Sequence, residues 1–427
     1  MILLSSDTSN YGRFGIDGAA MAIEVRSTDG RGFAAERVMY STRSGQWTGG
    51  HASLGITTPS STYYFAEGSA SPSNAAGNHF QTFLLIANPN TVPAILDIVY
   101  TPESGPIVRN RITVPARSRY TLEPARQHVA LRGKGFSTQI TTLSTTPVVA
   151  ERAMWWVDSR WDASTFAGGH ASPGISALTT DWHFAQSSGA TGSEFLLFLN
   201  PSNAPADVTI EYLMADSAKA IHQIQLPASS RRTLEVAKQL GSSVRHATRI
   251  RSSRPIAVEQ SMYWSTESAS PDDGDNTTGT TELGEQWLFA EGASFPSLQT
   301  EFAFSNPGID PVTVSVRFMR SGKESVFHTF SIGAERSATV RAADFPGLSG
   351  EVFSTAIRSS APIAVERSTS FGLGPTGGTT SGGIRLVAPS ASPDVPTATT
   401  APQTQSVAPV LPTPTPTPVP SPTPSIP

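Results

Sequence analysis

The 427-residue sequence contains no cysteine, has 15 % charged residues and carries a formal net charge of −4. The lack of cysteine excludes thiol nucleophiles, disulfides and cysteine-ligated metal centres. The mildly acidic balance argues against a nucleic-acid-binding protein, which usually carries a basic stripe. We expect neither a cofactor nor a membrane span, since no apolar run approaches the ~18 residues that a spanning helix needs.

One module is repeated along most of the chain. A glutamate in a strand-like segment returns at spacings of 115, 108 and 107 residues, as Glu36, Glu151, Glu259 and Glu366. A Phe-Ala-Glu-Gly element and an Asn-Pro pair recur with it. Self-similarity at a fixed period indicates a repeat architecture, so the length divides into three whole copies preceded by the final third of another.

Residues 1–60, which we call the partial copy, match only the end of this module. Segments 21–25 and 33–40 correspond to its last two strands. Two strands cannot close a sandwich, so we expect this segment to be the C-terminal remnant of an upstream module that begins before Met1. An export signal is expected upstream as well, because Met1–Leu4 is too short an apolar stretch to serve as one.

Three whole copies follow: copy 1 at 61–179, copy 2 at 180–285 and copy 3 at 286–388. Apolar and polar residues alternate within them, as in segment 94–100, which is typical of half-buried antiparallel strands. Six or seven short strands per copy predict an all-β fold of tandem immunoglobulin-like antiparallel β-sandwich modules. Glu301 lies one residue closer to its Asn-Pro pair than Glu194 does, so we expect a β-bulge in copy 3.

Residues 389–427 form a Pro/Thr-rich linker. This segment holds 13 of the 34 prolines and a single charged residue, Asp394. Alternating proline forms neither helix nor sheet ladder, so the composition predicts a disordered, extended polyproline II spacer.

Five motifs occur in a fixed order. In copy 1 they are Phe-Ala-Glu-Gly at 65–68, Asn-Pro at 88–89, Pro-Ala-Arg-Ser-Arg at 115–119, Val-Ala-Glu-Arg-Ala-Met-Trp-Trp at 149–156 and Gly-Gly-His-Ala-Ser at 168–172. Together they resemble an uncharacterised bacterial extracellular repeat family of exported actinobacterial and Chloroflexi proteins. Copy 3 departs from the pattern and lacks the Gly-Gly-His element. The resemblance implies an extracellular or cell-surface location, but it implies no activity and no site.

The repeated glutamate has small neighbours on its face of the strand. Val149 and Ala153 flank Glu151, for example. Small neighbours let another segment lie over the carboxylate, which then needs a hydrogen-bond donor. We predict a structural role for Glu36, Glu151, Glu259 and Glu366, with loop amides or an arginine as partners; a ligand or cation site is the alternative.

Tryptophans cluster on both sides of the boundary between copies 1 and 2. Trp155, Trp156, Trp161 and Trp182 could form a flat surface for stacking on sugar rings. The alternative, which we favour, is that these large rings fill the contacts between consecutive modules.

His51 and His170 lie in the two Gly-Gly-His-Ala-Ser segments, which we interpret as loops that join modules. A histidine near a serine suggests a hydrolase. However, the order differs from the Gly-x-Ser-x-Gly elbow, and no carboxylate accompanies both copies at a fixed spacing. We therefore predict a structural role for both histidines.

Residues 272–276, Asp-Asp-Gly-Asp-Asn, replace the Gly-Gly-His segment in copy 2. They lack the spacing and the terminal glutamate of an EF-hand. We predict a solvated loop, and a Ca²⁺ site is the alternative.

These observations favour a non-catalytic extracellular repeat protein that acts as a cell-surface stalk or adhesion array, monomeric and elongated. Its expected partners are cell-envelope polysaccharide or another surface protein. The alternative is a glycan-binding accessory region of a larger exported enzyme.

Overall fold

The structure is a computed structural model, and it describes residues 21–43, 46–70, 79–157, 166–189, 192–241, 244–264, 273–371 and 377–386. The linker at 389–427 and Trp161 lie outside the described residues, so the predictions made for them are not addressed below.

The described residues form 27 strands, two four-residue α-helices and three short 3-10 segments. The strands are β1 Glu36–Arg43, β2 Gln46–Leu54, β3 Thr62–Phe65, β4 His79–Asn88, β5 Ala94–Pro102, β6 Val108–Val114, β7 Ser118–Leu122, β8 Phe136–Thr142, β9 Val149–Val157, β10 Phe166–Pro173, β11 Thr179–Phe184, β12 Gly192–Asn200, β13 Ala206–Leu213, β14 Ala220–Leu226, β15 Ser230–Glu235, β16 Ala247–Trp264, β17 Asp273–Thr277, β18 Gly284–Phe289, β19 Ala293–Phe295, β20 Leu298–Asn306, β21 Val312–Met319, β22 Val326–Ile332, β23 Arg336–Arg341, β24 Glu351–Val352, β25 Ser354–Phe371, β26 Gly377–Gly382 and β27 Ile384–Arg385. The helices are α1 Pro124–Gln127 and α2 Ala237–Leu240, and the 3-10 segments are Val129–Leu131, Ala342–Asp344 and Pro346–Leu348.

Copy 1 consists of two four-stranded antiparallel sheets. One sheet has the strand order β3-β8-β5-β6 and the other β10-β9-β4-β7. The two sheets share one core, to which the first contributes Tyr100 and Phe136 and the second Leu84 and Ile86. Burial of these apolar side chains between the sheets is the main favourable term in the stability of the copy.

Copies 2 and 3 repeat this arrangement around cores of their own. In each, one 18-residue strand passes from one sheet to the other, where copy 1 has the separate strands β8 and β9. The first half of β16 pairs with β13, and its second half pairs with β12. The same holds for β25, which pairs with β21 and then with β20.

The predicted all-β class is confirmed at the level of several antiparallel sheets with very little helix. Copy 1 contains eight strands, more than the six or seven that the sequence predicted. Within the part of the chain that the structure describes, no helix has the length and apolar character required to cross a membrane.

The expected β-bulge in copy 3 is not found. β12 pairs with β16, and β20 pairs with β25, without a register shift in either ladder. Glu194 lies opposite Met262, and the residue in the same place of copy 3 is Thr300 rather than Glu301. The prediction was wrong because it aligned two glutamates by identity and not by the face of the strand.

The asparagine of each Asn-Pro pair stabilises a turn through its side chain. Asn88 Nδ2 donates to the carbonyls of Val92, Val114 and Pro115, at 2.8, 3.1 and 3.0 Å. Its Oδ1 accepts from the N–H of Asn90 at 3.0 Å. The same pattern recurs in copies 2 and 3, at Asn200 and Asn306. Each side chain therefore ties the end of one strand to the next hairpin.

The copies meet around four strands, which we call the central strands: β2, β10, β17 and β26. One comes from the partial copy and one from each whole copy. β2 packs against β10 and β26, and β17 packs against the same two strands, so the four form a closed ring. Each central strand also pairs with the strand of its own copy that carries the repeated glutamate. This closed arrangement differs from the elongated array that the sequence suggested.

Candidate functional site

The residue after the repeated glutamate is arginine in three of the four copies. Each of these arginines binds the repeated glutamate of another copy. The contacts are Arg37 to Glu151 at 3.0 Å, Arg152 to Glu259 at 2.8 Å and Arg367 to Glu36 at 2.9 Å. The last of them joins residues 331 positions apart. We call these contacts the Glu–Arg chain, and it links the last copy to the first.

The Phe-Ala-Glu-Gly loops complete the junctions with backbone groups. Between copies 1 and 2, the N–H of Glu67 donates to Oε2 of Glu259 (2.6 Å). The carbonyl of Glu67 accepts from Nη1 of Arg152 (2.9 Å). Between copies 2 and 3, the N–H groups of Ala185 and Gln186 donate to Glu366 at 2.7 and 2.8 Å. The sequence predicted loop amides or an arginine as partners of the repeated glutamate; in the structure, these glutamates receive them from a neighbouring copy.

Copy 2 carries Gln260 in place of the arginine. Its Nε2 donates to the carbonyl of Gln186 (3.0 Å) and to Oε1 of Glu194 (2.7 Å). Among the described residues, Glu366 therefore receives amides and a hydroxyl but no guanidinium. Burial raises the pKa of Glu366 to about 7, although the amide hydrogen bonds act in the opposite direction.

Residues 273–276 of the acidic segment lie in a buried central strand and not in the solvated loop that the sequence predicted, and Asp272 lies outside the described residues. Asp275 accepts hydrogen bonds from Thr379 Oγ1 (2.9 Å) and from the N–H of Thr380 in copy 3. Asp273 accepts from the N–H of Gly378 (3.1 Å). Burial raises the pKa of Asp275 to about 8 and that of Asp273 well above its usual range. Both carboxyls therefore favour the protonated form. A neutral carboxyl is less costly to bury at a contact between copies than a carboxylate.

In the described ranges, no group of three or more histidine, aspartate or glutamate side chains could hold a metal ion.

His51 and His170 occupy equivalent places in β2 and β10, opposite Met39 and Met154. They lie in central strands, whereas the sequence suggested joining loops. Burial lowers the pKa of His51 to about 3 and that of His170 to about 4. Nε2 of His170 lies 3.6 Å from Oε2 of Glu67. Both rings are therefore neutral at physiological pH.

Two of the three described tryptophans of the cluster are buried, one in a core and one at a junction. Trp182 is buried in the core of copy 2, and its Nε1 donates to the carbonyl of Ile256 (3.2 Å). Trp156 is buried against Tyr263 of copy 2, with ring centroids 5.5 Å apart. Trp155 is half-buried against Gly169, where any Cβ would collide with the indole. The two buried rings are not placed to stack on a sugar.

A cavity of about 260 Å³ lies between copies 1 and 2. Copy 1 lines it with polar side chains of one sheet, among them Asp97, Arg109 and Gln139, and copy 2 adds Leu199 and Pro201. Hydroxyl, amide and charged groups converge on this open space.

Sequence reasoning missed the arginine of the Glu–Arg chain and the central-strand serine to which it donates. In each case the arginine donates to the serine of its own copy: Arg37 to Ser53 at 3.1 Å, Arg152 to Ser172 at 3.0 Å and Arg367 to Ser381 at 2.9 Å. A signal was available, because Gln260 and Thr277 replace the arginine and the serine together in copy 2.

Comparisons with known proteins give only weak structural likenesses. No family model and no curated protein matches the chain. Among solved structures, Thermotoga maritima 1070 is 15 % identical, with a TM-score of 0.22, over 24 % of this chain and 96 % of that chain. The Anabaena sensory rhodopsin transducer is 27 % identical, with a TM-score of 0.18, over 20 % of this chain and 83 % of that chain. A tetra-tandem repeat from the extending region of a large adhesion protein is 13 % identical, with a TM-score of 0.13, over 82 % of this chain and 80 % of that chain.

Proposed function

We propose that the protein is a non-catalytic, extracellular repeat protein that acts at the cell surface as an adhesion scaffold. The observation that supports this is the use of the repeated charged residues. Arg152 and Glu259 are fully buried and bind each other across a junction, as do Arg367 and Glu36. Side chains that hold copies together in this way are withdrawn from solvent and from any substrate. The extracellular location follows from the sequence resemblance and the proline-rich linker.

Within this proposal, the closed ring favours an adhesion scaffold over a stalk. A stalk gains length when its modules contact only their neighbours in sequence. Here the contact of Arg367 with Glu36 brings copy 3 back to the partial copy. We also propose that each copy is an immunoglobulin-like sandwich of the bacterial repeat family that the motifs resemble, a description supported by its two antiparallel sheets.

Binding of the purified full chain to intact bacterial cells tests the adhesion role. The proposal expects saturable binding without turnover of any envelope component. Treating the cells with protease or with periodate beforehand separates a surface protein from a polysaccharide as the receptor. Absence of binding to cells, or release of soluble sugar or peptide from them, would overturn the proposal.

The cavity between copies 1 and 2 favours a second candidate function. In this candidate, the chain is the glycan-binding accessory region of a larger exported enzyme. The carboxylate, guanidinium and amide groups of the cavity can hydrogen-bond sugar hydroxyls. Isothermal titration calorimetry with soluble envelope polysaccharide tests it, using Asp97→Ala and Gln139→Ala for the cavity and Trp155→Ala for stacking. Gln223→Ala, at an exposed position of copy 2, is the matched control. Loss of binding in the cavity variants, with binding retained in Gln223→Ala, supports this candidate. A flat titration of the unaltered protein excludes it.

A further inference from the structure

The strand that carries the repeated glutamate is flanked on both sides in every whole copy. β9 lies between β10 and β4, β16 between β17 and β12, and β25 between β26 and β20. Among the described residues, β1 of the partial copy pairs with β2 alone. Its other edge therefore offers backbone N–H and C=O groups to an incoming strand.

The apolar face of this part of the chain is also uncovered. Phe33 and Met39 are 54 % and 38 % exposed. The residues in the same places of copy 1, Val148 and Met154, are 0 % and 1 % exposed because the sandwich covers them. Apolar side chains clustered on one exposed face mark a surface that binds another apolar surface.

The first link of the Glu–Arg chain is open to solvent in the same region. The side chains of Arg37 and Glu151 are 37 % and 20 % exposed, whereas those of Arg152 and Glu259 are both 0 % exposed. What covers the second pair is the loop at Glu67, which gives an N–H to Glu259 and a carbonyl to Arg152. In the described part of the chain, no such loop lies on Arg37 and Glu151.

We propose that β1, Arg37 and Glu151 form a docking surface for a Phe-Ala-Glu-Gly loop and the strand that follows it, supplied by a module of this repeat other than the three whole copies. The incoming strand pairs antiparallel with β1, as β4 pairs with β9. Its loop donates a backbone N–H to Glu151 and accepts from Arg37. Phe33 and Met39 pack under it.

The neighbouring junctions within the chain specify this occupant. Loop amides bind the glutamate at two of them, and loop carbonyls bind the arginine or glutamine at three. A second copy of this chain that paired β1 with β1 would supply a strand but no loop, so it would leave Glu151 and Arg37 uncovered. The inference holds whether or not the adhesion role does.

A peptide of residues 61–88, taken from copy 1, is the probe because it contains both the loop and β4. It is labelled with a fluorophore and titrated with the full-length protein, and its anisotropy is recorded. We expect saturable one-to-one binding, together with slower amide hydrogen exchange in β1. No binding, or binding without protection of β1, would overturn the proposal.

Peptide variants test the backbone contact without any change to the protein. Glu67→Pro removes the N–H that the glutamate accepts, and we expect it to bind at least about tenfold more weakly, since a buried acceptor loses its donor. Glu67→Gln keeps that N–H and reproduces Gln186 of copy 2, so it should bind within about threefold of the parent peptide, as a hydrogen bond is retained. Equal binding of all three peptides would contradict the proposed geometry.

Protein variants test the arginine. Arg37→Ala should weaken peptide binding, whereas Arg126→Ala, at an exposed position of copy 1, should leave it unchanged. Circular dichroism shows whether each variant keeps its fold. Sedimentation of the protein without peptide tests whether a second copy of this chain is the occupant instead. A dimer that the peptide does not dissociate would replace the proposed partner with that second copy.

Discussion

At the scale of single residues, the centre of the protein buries carboxyl and imidazole groups that have no fully compensating partner of opposite charge. Glu366 lacks the guanidinium that the other repeated glutamates receive, and Asp275 hydrogen-bonds to backbone and hydroxyl donors. Burial raises the pKa values of both carboxyls, whereas it lowers those of His51 and His170. The two effects make opposite predictions for the pH dependence of stability.

Raising the pH should destabilise the protein through Glu366. Its pKa is about 7 in the folded state and near 4.5 ordinarily, so its contribution is full below pH 4.5 and is lost as the pH rises through 7. Glu366→Gln should therefore show a smaller fall in melting temperature between pH 5 and 8. The expected gain at pH 8 is about 1–3 kcal/mol, from about 1.4 kcal/mol for each pKa unit.

The control for this variant is Glu285→Gln, an exposed position in β18, which pairs with the strand that carries Glu366. It should follow the unaltered protein across the whole pH range. Identical pH profiles for Glu366→Gln and the unaltered protein would show that Glu366 is not the titrating group.

Lowering the pH should destabilise the protein through the two central histidines. Their folded pKa values of about 3 and about 4 lie below the ordinary 6.5. Their contribution is therefore full above pH 6.5 and is lost as the pH falls towards 4 and then 3. His51→Gln and His170→Gln should each unfold at a lower pH than the unaltered protein, measured by tryptophan fluorescence. His222→Gln, in β14 of copy 2, is the control and should not shift the acid midpoint.

At the scale of elements, the strands were the most predictable part of the fold. Alternation in segment 94–100 placed Leu96, Ile98 and Tyr100 on one face, and all three are buried. The role of the asparagine in the Asn-Pro pairs was harder to predict from the sequence. Turn preference explains an asparagine at this place, but two of its three carbonyl partners lie 26 and 27 residues later, at the end of the next hairpin, where no local pattern identifies them.

Replacing one such asparagine should destabilise its copy. In Asn200→Asp, an oxygen takes the place of the amide that donates to the carbonyls of Ala204, Leu226 and Pro227. A carboxylate facing three carbonyls loses every one of these bonds, so we expect a loss of about 2–4 kcal/mol. Thermal unfolding measures it, with the exposed Asn203→Asp as the control. A melting temperature within the range of the control would contradict this role.

At the scale of the whole molecule, the sequence predicts the number of copies but not their closure. Each motif repeats because each copy meets the next in a similar way, and periodicity along a chain is the same for a ring and for a rod. Nothing in the sequence identifies Arg367 and Glu36 as partners, since an arginine and a glutamate also recur in two of the three intermediate links. The central strands were misread for a related reason. Gly-Gly-His and Asp-Gly-Asp are turn-like in composition, and only contacts with the central strands of other copies make them buried strands.

The closing contact provides the clearest test of the ring. Arg367→Gln leaves the buried carboxylate of Glu36 without its guanidinium, and breaking one partner of a buried pair costs about 3–5 kcal/mol. In a ring, the loss should also appear at the other end of the chain, as faster amide hydrogen exchange in β2, which packs against β26. In a linear array, a change in copy 3 would leave β2 unaffected. Arg358→Gln, at an exposed position of the same strand β25, should alter neither stability nor exchange in β2. If Arg367→Gln lowers stability but exchange increases only within copy 3, the ring is not closed in solution and the stalk becomes the better description.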